Sequence, residues 1–148
     1  MLSKTEAKWL TLLRVAMGWL MFYAGITKIL DPAWTSAGYL GAAKTFPGFY
    51  SWFASPANIG WVNFLNEWGL TLIGISLILG LGVRLSSILG VSLMLLYYFP
   101  VLEFPKVEHG LIVDDHIIYA AILLFLAAVR AGRYYGLDKR WSFHKIWG

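Results

Sequence analysis

Trp61-Val62-Asn63-Phe64-Leu65-Asn66-Glu67-Trp68-Gly69-Leu70-Thr71-Leu72-Ile73-Gly74-Ile75-Ser76-Leu77-Ile78-Leu79-Gly80-Leu81-Gly82 carries one formal charge, Glu67, and no proline. As a helix rising 1.5 Å per residue, a stretch of this length reaches about 33 Å, enough to cross a hydrocarbon core about 30 Å thick. The apolar residues run on without alternating with polar ones. An open sheet in lipid would also leave backbone groups without water or partners, so the stretch reads as a transmembrane helix. Working outward, three further runs of this kind appear, over residues 9–30, 84–102 and 111–130. Asp31-Pro32 closes the first, Gly80 to Arg84 makes a tight connection between the second and third, and Pro100 and Pro105 bracket the exit of the third. A short polar loop, Glu103 to Gly110, leads into the last run. The expected fold is an all-α membrane protein, a four-transmembrane-helix bundle forming one domain over residues 1–148.

The composition agrees. Hydrophobic residues make up 59% of the 148 and charged residues 14%, against roughly 45–50% and about 25% in soluble domains. Eight Trp and eight Tyr supply rings that settle at membrane–water interfaces. The net charge of +4 is read by position as a topology signal, and no nucleic-acid partner is expected. Lys4, Lys8, Arg14, Arg84, Arg130, Arg133, Lys139, Arg140 and Lys145 fall on one side of the bundle, with Lys28, Lys44 and Lys106 on the other. The first side is therefore expected in the cytoplasm, with both termini, and the plasma membrane as the location. Lys4 and Lys8 precede an apolar run too long for a signal-peptide core, so residues 9–30 are read as a mature helix.

The longest connection, Asp31 to Gly60, carries Trp34, Tyr39, Phe46, Phe49, Tyr50, Trp52 and Phe53, broken by Gly and Pro. It reads as an interfacial aromatic-rich segment of one or two short helices, either folded over the outer mouth of the bundle or anchoring it in the headgroups.

Charges inside spans cost roughly 2.5–3.5 kcal/mol each on insertion scales, so they mark candidate sites. Arg14 and Lys28 lie within roughly 40° of one face of the first helix, about 21 Å apart along it, with Gly18, Met21 and Gly25 between them. The small residues allow close approach of a neighbouring helix and turn both cations inward; the alternative is that both snorkel to the interfaces. Glu67 lies about 9 Å below the mouth of the second helix with Asn63 and Gly74 on its stripe, and Lys28 is its candidate partner. The pair serves either chemistry or simply helix register.

Asp114, Asp115 and His116 open the last helix, one carboxylate being expected to cap it. Asp115, four residues from Tyr119, joins His116 in facing Glu67 and Lys28, giving an outer pocket rimmed by Tyr23 and Trp68. A histidine beside a carboxylate moves protons near neutral pH.

The chain has no cysteine, which excludes disulfides, iron–sulfur ligation and a thiol relay of its own. His109, His116 and His144 offer no bis-histidine heme geometry, and His109, His116 and the adjacent Asp pair match no strong metal pattern. Gly80-Leu81-Gly82 is a turn rather than a phosphate loop. No covalent cofactor is expected, and electrons must pass directly or through a partner's cofactor. Arg84, Arg130, Arg133 and Arg140 gather beside Tyr134 and Tyr135, either on anionic headgroups or on a soluble partner.

Taken in order, these features resemble the DoxX family, and within it the DoxD-type subunit of thiosulfate:quinone oxidoreductases. The resemblance rests on Arg14, Gly18, Phe22, Ala24-Gly25 and Lys28, then Gly38-Tyr39-Leu40 and Glu67. It continues through Leu77-Ile78-Leu79-Gly80-Leu81-Gly82-Val83-Arg84, Asp114-Asp115-His116 and Ala131-Gly132-Arg133. Val83 stands where a Thr often precedes the Arg. The resemblance implies a four-helix membrane subunit in sulfur oxidation or redox-stress defence that passes electrons toward quinone, a co-substrate. The partners expected are the lipid bilayer and a soluble or membrane redox subunit, with a homo-oligomer as a further option. Glu67, Asp115 and His116 would handle protons, while Arg14, Lys28, Tyr23 and Tyr119 would hold the substrate. The alternative is a non-catalytic accessory subunit of a membrane redox complex.

Overall fold

Ser3 opens the first helix with a capping box: its hydroxyl accepts from the Glu6 amide at 3.2 Å and its own amide donates to the Glu6 carboxylate at 2.7 Å. In this computed structural model, which describes residues 2–107 and 110–139, that cap starts α1 (Lys4–Leu30) ahead of the expected Trp9. His109, Arg140, His144 and Lys145, which enter the sequence reading, lie outside the described residues. The aromatic-rich connection forms two short helices, α2 (Ala37–Gly41) and α3 (Pro47–Phe53). Next come α4 (Ile59–Leu79), α5 (Val83–Val101), a hairpin of β1 (Lys106–Val107) and β2 (Gly110–Leu111), and α6 (Asp115–Ala128). Single turns of 3-10 helix follow at Ala131–Arg133 and Leu137–Lys139.

Three of these helices, α1, α4 and α5, are long and apolar enough to cross a membrane. The fourth expected span contracts. Asp114 accepts the Ile117 amide at 3.2 Å and fixes the start of α6, Gly110-Leu111 is taken into the hairpin, and Arg130 turns into the left-handed region at φ 51°. The 14 residues of α6 reach about 21 Å, short of a core about 30 Å thick.

Glycine decides how the long helices pack. A Cβ on Gly74 of α4 would come within 2.3 Å of the Phe22 backbone nitrogen, and one on Gly25 of α1 within 2.5 Å of the Thr71 nitrogen. Backbones therefore meet directly along an antiparallel α1–α4 seam, as association in lipid favours. Opposite it α5 and α6 pair, Gly90 receiving Leu123. The seams enclose a core of Met17, Met21, Leu70, Ile73, Leu77, Met94, Leu123 and Leu126. Trp19, Leu72, Leu124 and Phe125 stay half or more exposed, the surface a membrane helix turns to lipid.

α2 and α3 lie over the far end of α4 and α5. Pro100 has no amide to give to the Leu96 carbonyl, and the Tyr50 hydroxyl donates to that carbonyl at 3.0 Å. The Lys44 amide reaches the Pro100 carbonyl at 2.9 Å and the Thr45 hydroxyl the Leu102 carbonyl at 2.6 Å. Ser36 donates twice to Asn63, from its amide at 3.0 Å and its hydroxyl at 2.7 Å. The segment thus completes the hydrogen bonding that α5 loses at its end.

Candidate functional site

The two cations of α1 go to opposite ends of the bundle. Arg14, 1% exposed, donates to the carbonyls of Ala131 at 2.8 Å, Tyr134 at 2.9 Å and Tyr135 at 3.3 Å. Gly80 and Gly136 leave room for it, since a Cβ on either would sit 2.8 Å from the guanidinium. Asp138 closes the same end by accepting the Gly82 amide at 2.6 Å and the Val83 amide at 3.3 Å. The Leu-Gly-Leu-Gly turn and the Ala-Gly-Arg segment are therefore the walls of an arginine clasp that ties α1 to the α4–α5 turn and to the chain after α6.

At the other end, Lys28 donates to the Ala24 carbonyl at 2.7 Å and lies 5.3 Å from the centre of the Trp34 ring, within cation–π range. Glu67 is the carboxylate whose field reaches it. The one ion pair within 4.0 Å among the described residues lies elsewhere, between His116 Nδ1 and Asp114 Oδ2 at 2.7 Å. Asp114 is buried and His116 half-buried. The carboxylate is an acceptor and engages the ring at Nδ1, which leaves Nε2 for a ligand.

These groups border open space. A cavity of about 400 Å³ is lined by Lys28, Trp34, Ser36, Tyr39, Asn66, Tyr97 and His116, among others, a size in the usual range for ligand pockets. A second, of about 200 Å³, shares Lys28, Tyr97 and His116 and continues inward past Met21, Met94 and Tyr119. The Tyr97 hydroxyl donates to the Asn66 side-chain oxygen, and its ring stands edge-on to His116 with centroids 6.0 Å apart. Within one compartment the site offers a cation, an imidazole backed by a carboxylate, a phenol–amide pair and an aromatic lid. Among the described residues no three of His, Asp and Glu group closely enough to hold a metal ion.

Of the residues expected in the pocket, Lys28, His116 and Tyr119 line these cavities. Glu67 stands in electrostatic reach of Lys28 but off the wall of the larger cavity, where its neighbour Asn66 points instead. Asp115 is exposed, and Asp114 takes the place assigned to it beside His116. Tyr23 is 60% exposed, on the outer face of α1. Arg14 is consumed in the clasp, because the backbone carbonyls after α6 reach it first. Trp34 belongs to the aromatic segment expected over the outer mouth, whereas Asn66 and Tyr97 were not singled out from the sequence. Asp114 was open to the capping rule, as the last non-helical residue with a side-chain acceptor. Tyr97, inside an apolar run, looks there like any interfacial aromatic.

No curated protein and no solved structure matches the chain. The DoxX family model matches residues 9–102, which hold Lys28, Trp34, Asn66 and Tyr97 of the cavity and the Arg14 and Gly80 elements of the clasp. That match covers more than half of the chain, and the protein belongs to the DoxX family.

Proposed function

We propose that the protein is the membrane subunit of a quinone-linked oxidoreductase, and that the cavity between Lys28 and His116 receives the quinone head. The observation that carries this reading is the convergence of Lys28, Tyr97 and the Asp114-backed His116 on one aromatic-walled space of about 400 Å³. Reducing a quinone to a quinol takes two electrons and two protons. As the imidazolium, held by Asp114 on Nδ1, His116 gives one proton from Nε2 and is left neutral; the second proton, and the one that recharges the ring, come from water at the mouth of the cavity. Lys28 stabilises negative charge developing on a quinone oxygen, and Trp34 covers it. The electrons come from a small sulfur compound such as thiosulfate, two anions joining through a sulfur–sulfur bond as they release two electrons, by way of a partner subunit.

In this reading the Arg14 end, with Lys4, Lys8, Arg84, Arg130, Arg133 and Lys139, faces the cytoplasm, and the cavity opens on the outer side of the plasma membrane. α6 with its flanking hairpin serves as the fourth span, since it runs antiparallel to α5 and its exit returns to Arg14. Purified protein in lipid nanodiscs, with the partners that co-purify with it, is expected to reduce a quinone at the expense of thiosulfate and to lose this in His116→Gln. Wild-type protein inactive with every such partner sinks the reading.

A second reading, a non-catalytic accessory subunit, is favoured by Glu67 standing off the cavity wall. It predicts that Glu67→Gln and His116→Gln lower the abundance of the assembled complex rather than its turnover.

A further inference from the structure

Beneath α2 and α3, between α4 and α5, lies a separate crevice of about 100 Å³. It shares Leu40, Asn66 and Tyr97 with the larger cavity, so the two spaces adjoin across the hydrogen-bonded Asn66–Tyr97 pair. Its outer rim is Trp61, Leu65 and Leu96, which are 43%, 54% and 41% exposed on the side the bundle turns to lipid. The polar atoms of its wall are already engaged, the Tyr97 hydroxyl on Asn66 and the Tyr50 hydroxyl on the Leu96 carbonyl at 3.0 Å. Its lining is mainly apolar and both of its phenols are taken up, so it suits an apolar chain better than a charged group.

We infer that this crevice is a tail channel, and that the ligand of the adjoining cavity is a long-chain amphiphile entering sideways from the bilayer, its polar head at Lys28 and His116 and its apolar chain passing out between Leu65 and Leu96. The inference rests on the quinone reading above and deepens it: the occupant is a quinone with a prenyl or alkyl chain, and a free sulfur anion is handled elsewhere. An apolar cavity of roughly 150 Å³ holds one benzene, so this smaller one takes only the first links of a chain and leaves the rest in lipid. Because hydrocarbon gains little on moving from lipid to protein, the channel acts by fit. A chain that cannot pass the collar drags the head out of register.

The test is binding to the full chain in nanodiscs of two probes with the same quinone head, one bearing a decyl chain and one a methyl group, in wild type, Leu65→Trp and Leu96→Trp. Both variants place a larger apolar side chain on the lipid-facing rim, where folding is least affected, and thermal unfolding checks this. The expected result is a roughly tenfold loss, about 1.4 kcal/mol, for the decyl probe in both variants while the methyl probe binds as to wild type. Equal losses for both probes, or no loss for either, overturn the tail channel alone. Wild-type protein that binds neither probe refutes the quinone reading itself.

Discussion

Arg14→Lys separates a clasp from a binding site because it keeps the charge and removes the fork. The guanidinium reaches two carbonyls at 2.8 and 2.9 Å and a third at 3.3 Å. A lysine ammonium is a compact charge on a different stem and cannot span that set. Each charge-assisted bond contributes about 1.5–3 kcal/mol, so losing one or two costs roughly 2–5 kcal/mol. Burying an ammonium brings no relief of desolvation to offset this, since it is more strongly hydrated than a guanidinium. The carbonyls themselves are not orphaned: Ala131 also accepts from the Tyr134 amide at 3.2 Å and Tyr134 from the Thr11 hydroxyl at 3.2 Å, which keeps the estimate at the bonds lost. At about 2–4 °C per kcal/mol for a chain of this size, the unfolding midpoint in nanodiscs, followed by tryptophan fluorescence, is expected to fall by roughly 5–15 °C. If the midpoint stays at the wild-type value while ligand binding is lost, Arg14 is a binding residue and the clasp is misread.

Three further outcomes follow from the geometry. Gly74→Leu forces a side chain into the Phe22 backbone, 2.3 Å from where its Cβ would stand; a cost of at least the roughly 1–3 kcal/mol of ordinary overpacking is expected, seen as loss of folded protein on size-exclusion chromatography. Asp114→Asn keeps a side-chain acceptor for the α6 cap but no longer stabilises a charged His116, so the unfolding midpoint holds while quinone turnover drops; Asp115→Asn, at an exposed position, leaves both unchanged. Burial holds the Tyr50 phenol above its ordinary titration range. Its contribution to stability is complete below that ordinary value, about 10, and is lost as the pH rises through the raised one. Tyr50→Phe flattens that alkaline loss and costs about 1 kcal/mol for the Leu96 bond, both readable from unfolding midpoints across pH.

The membrane helices were legible because their signal is compositional: unbroken apolar length and the glycines of the α1–α4 seam stand in the sequence itself. The start of α6 was less so, because Asp114 and Asp115 carry the same side chain and only hydrogen-bond geometry says which one caps. The β1–β2 hairpin, two residues a strand, is too short to leave a period. Arg14 and Lys28 share a stripe, so the sequence assigns them one fate. That Arg14 is taken up in a clasp depends on carbonyls 117 and 120 residues away from it, and backbone acceptors have no residue type to read. Glu67 drew attention as the charged member of its helix, yet its neighbour Asn66, about 100° around α4, is the one on the cavity wall.

Equilibrium binding of the methyl-bearing quinone to wild type, Lys28→Met and His116→Gln in nanodiscs tests the central claim most directly, that the Lys28–His116 cavity is the ligand site. Saturable binding to wild type, weakened roughly tenfold or more (about 1.4 kcal/mol) in each variant at an unchanged unfolding midpoint, is the predicted result. Variants that bind as wild type does would contradict it.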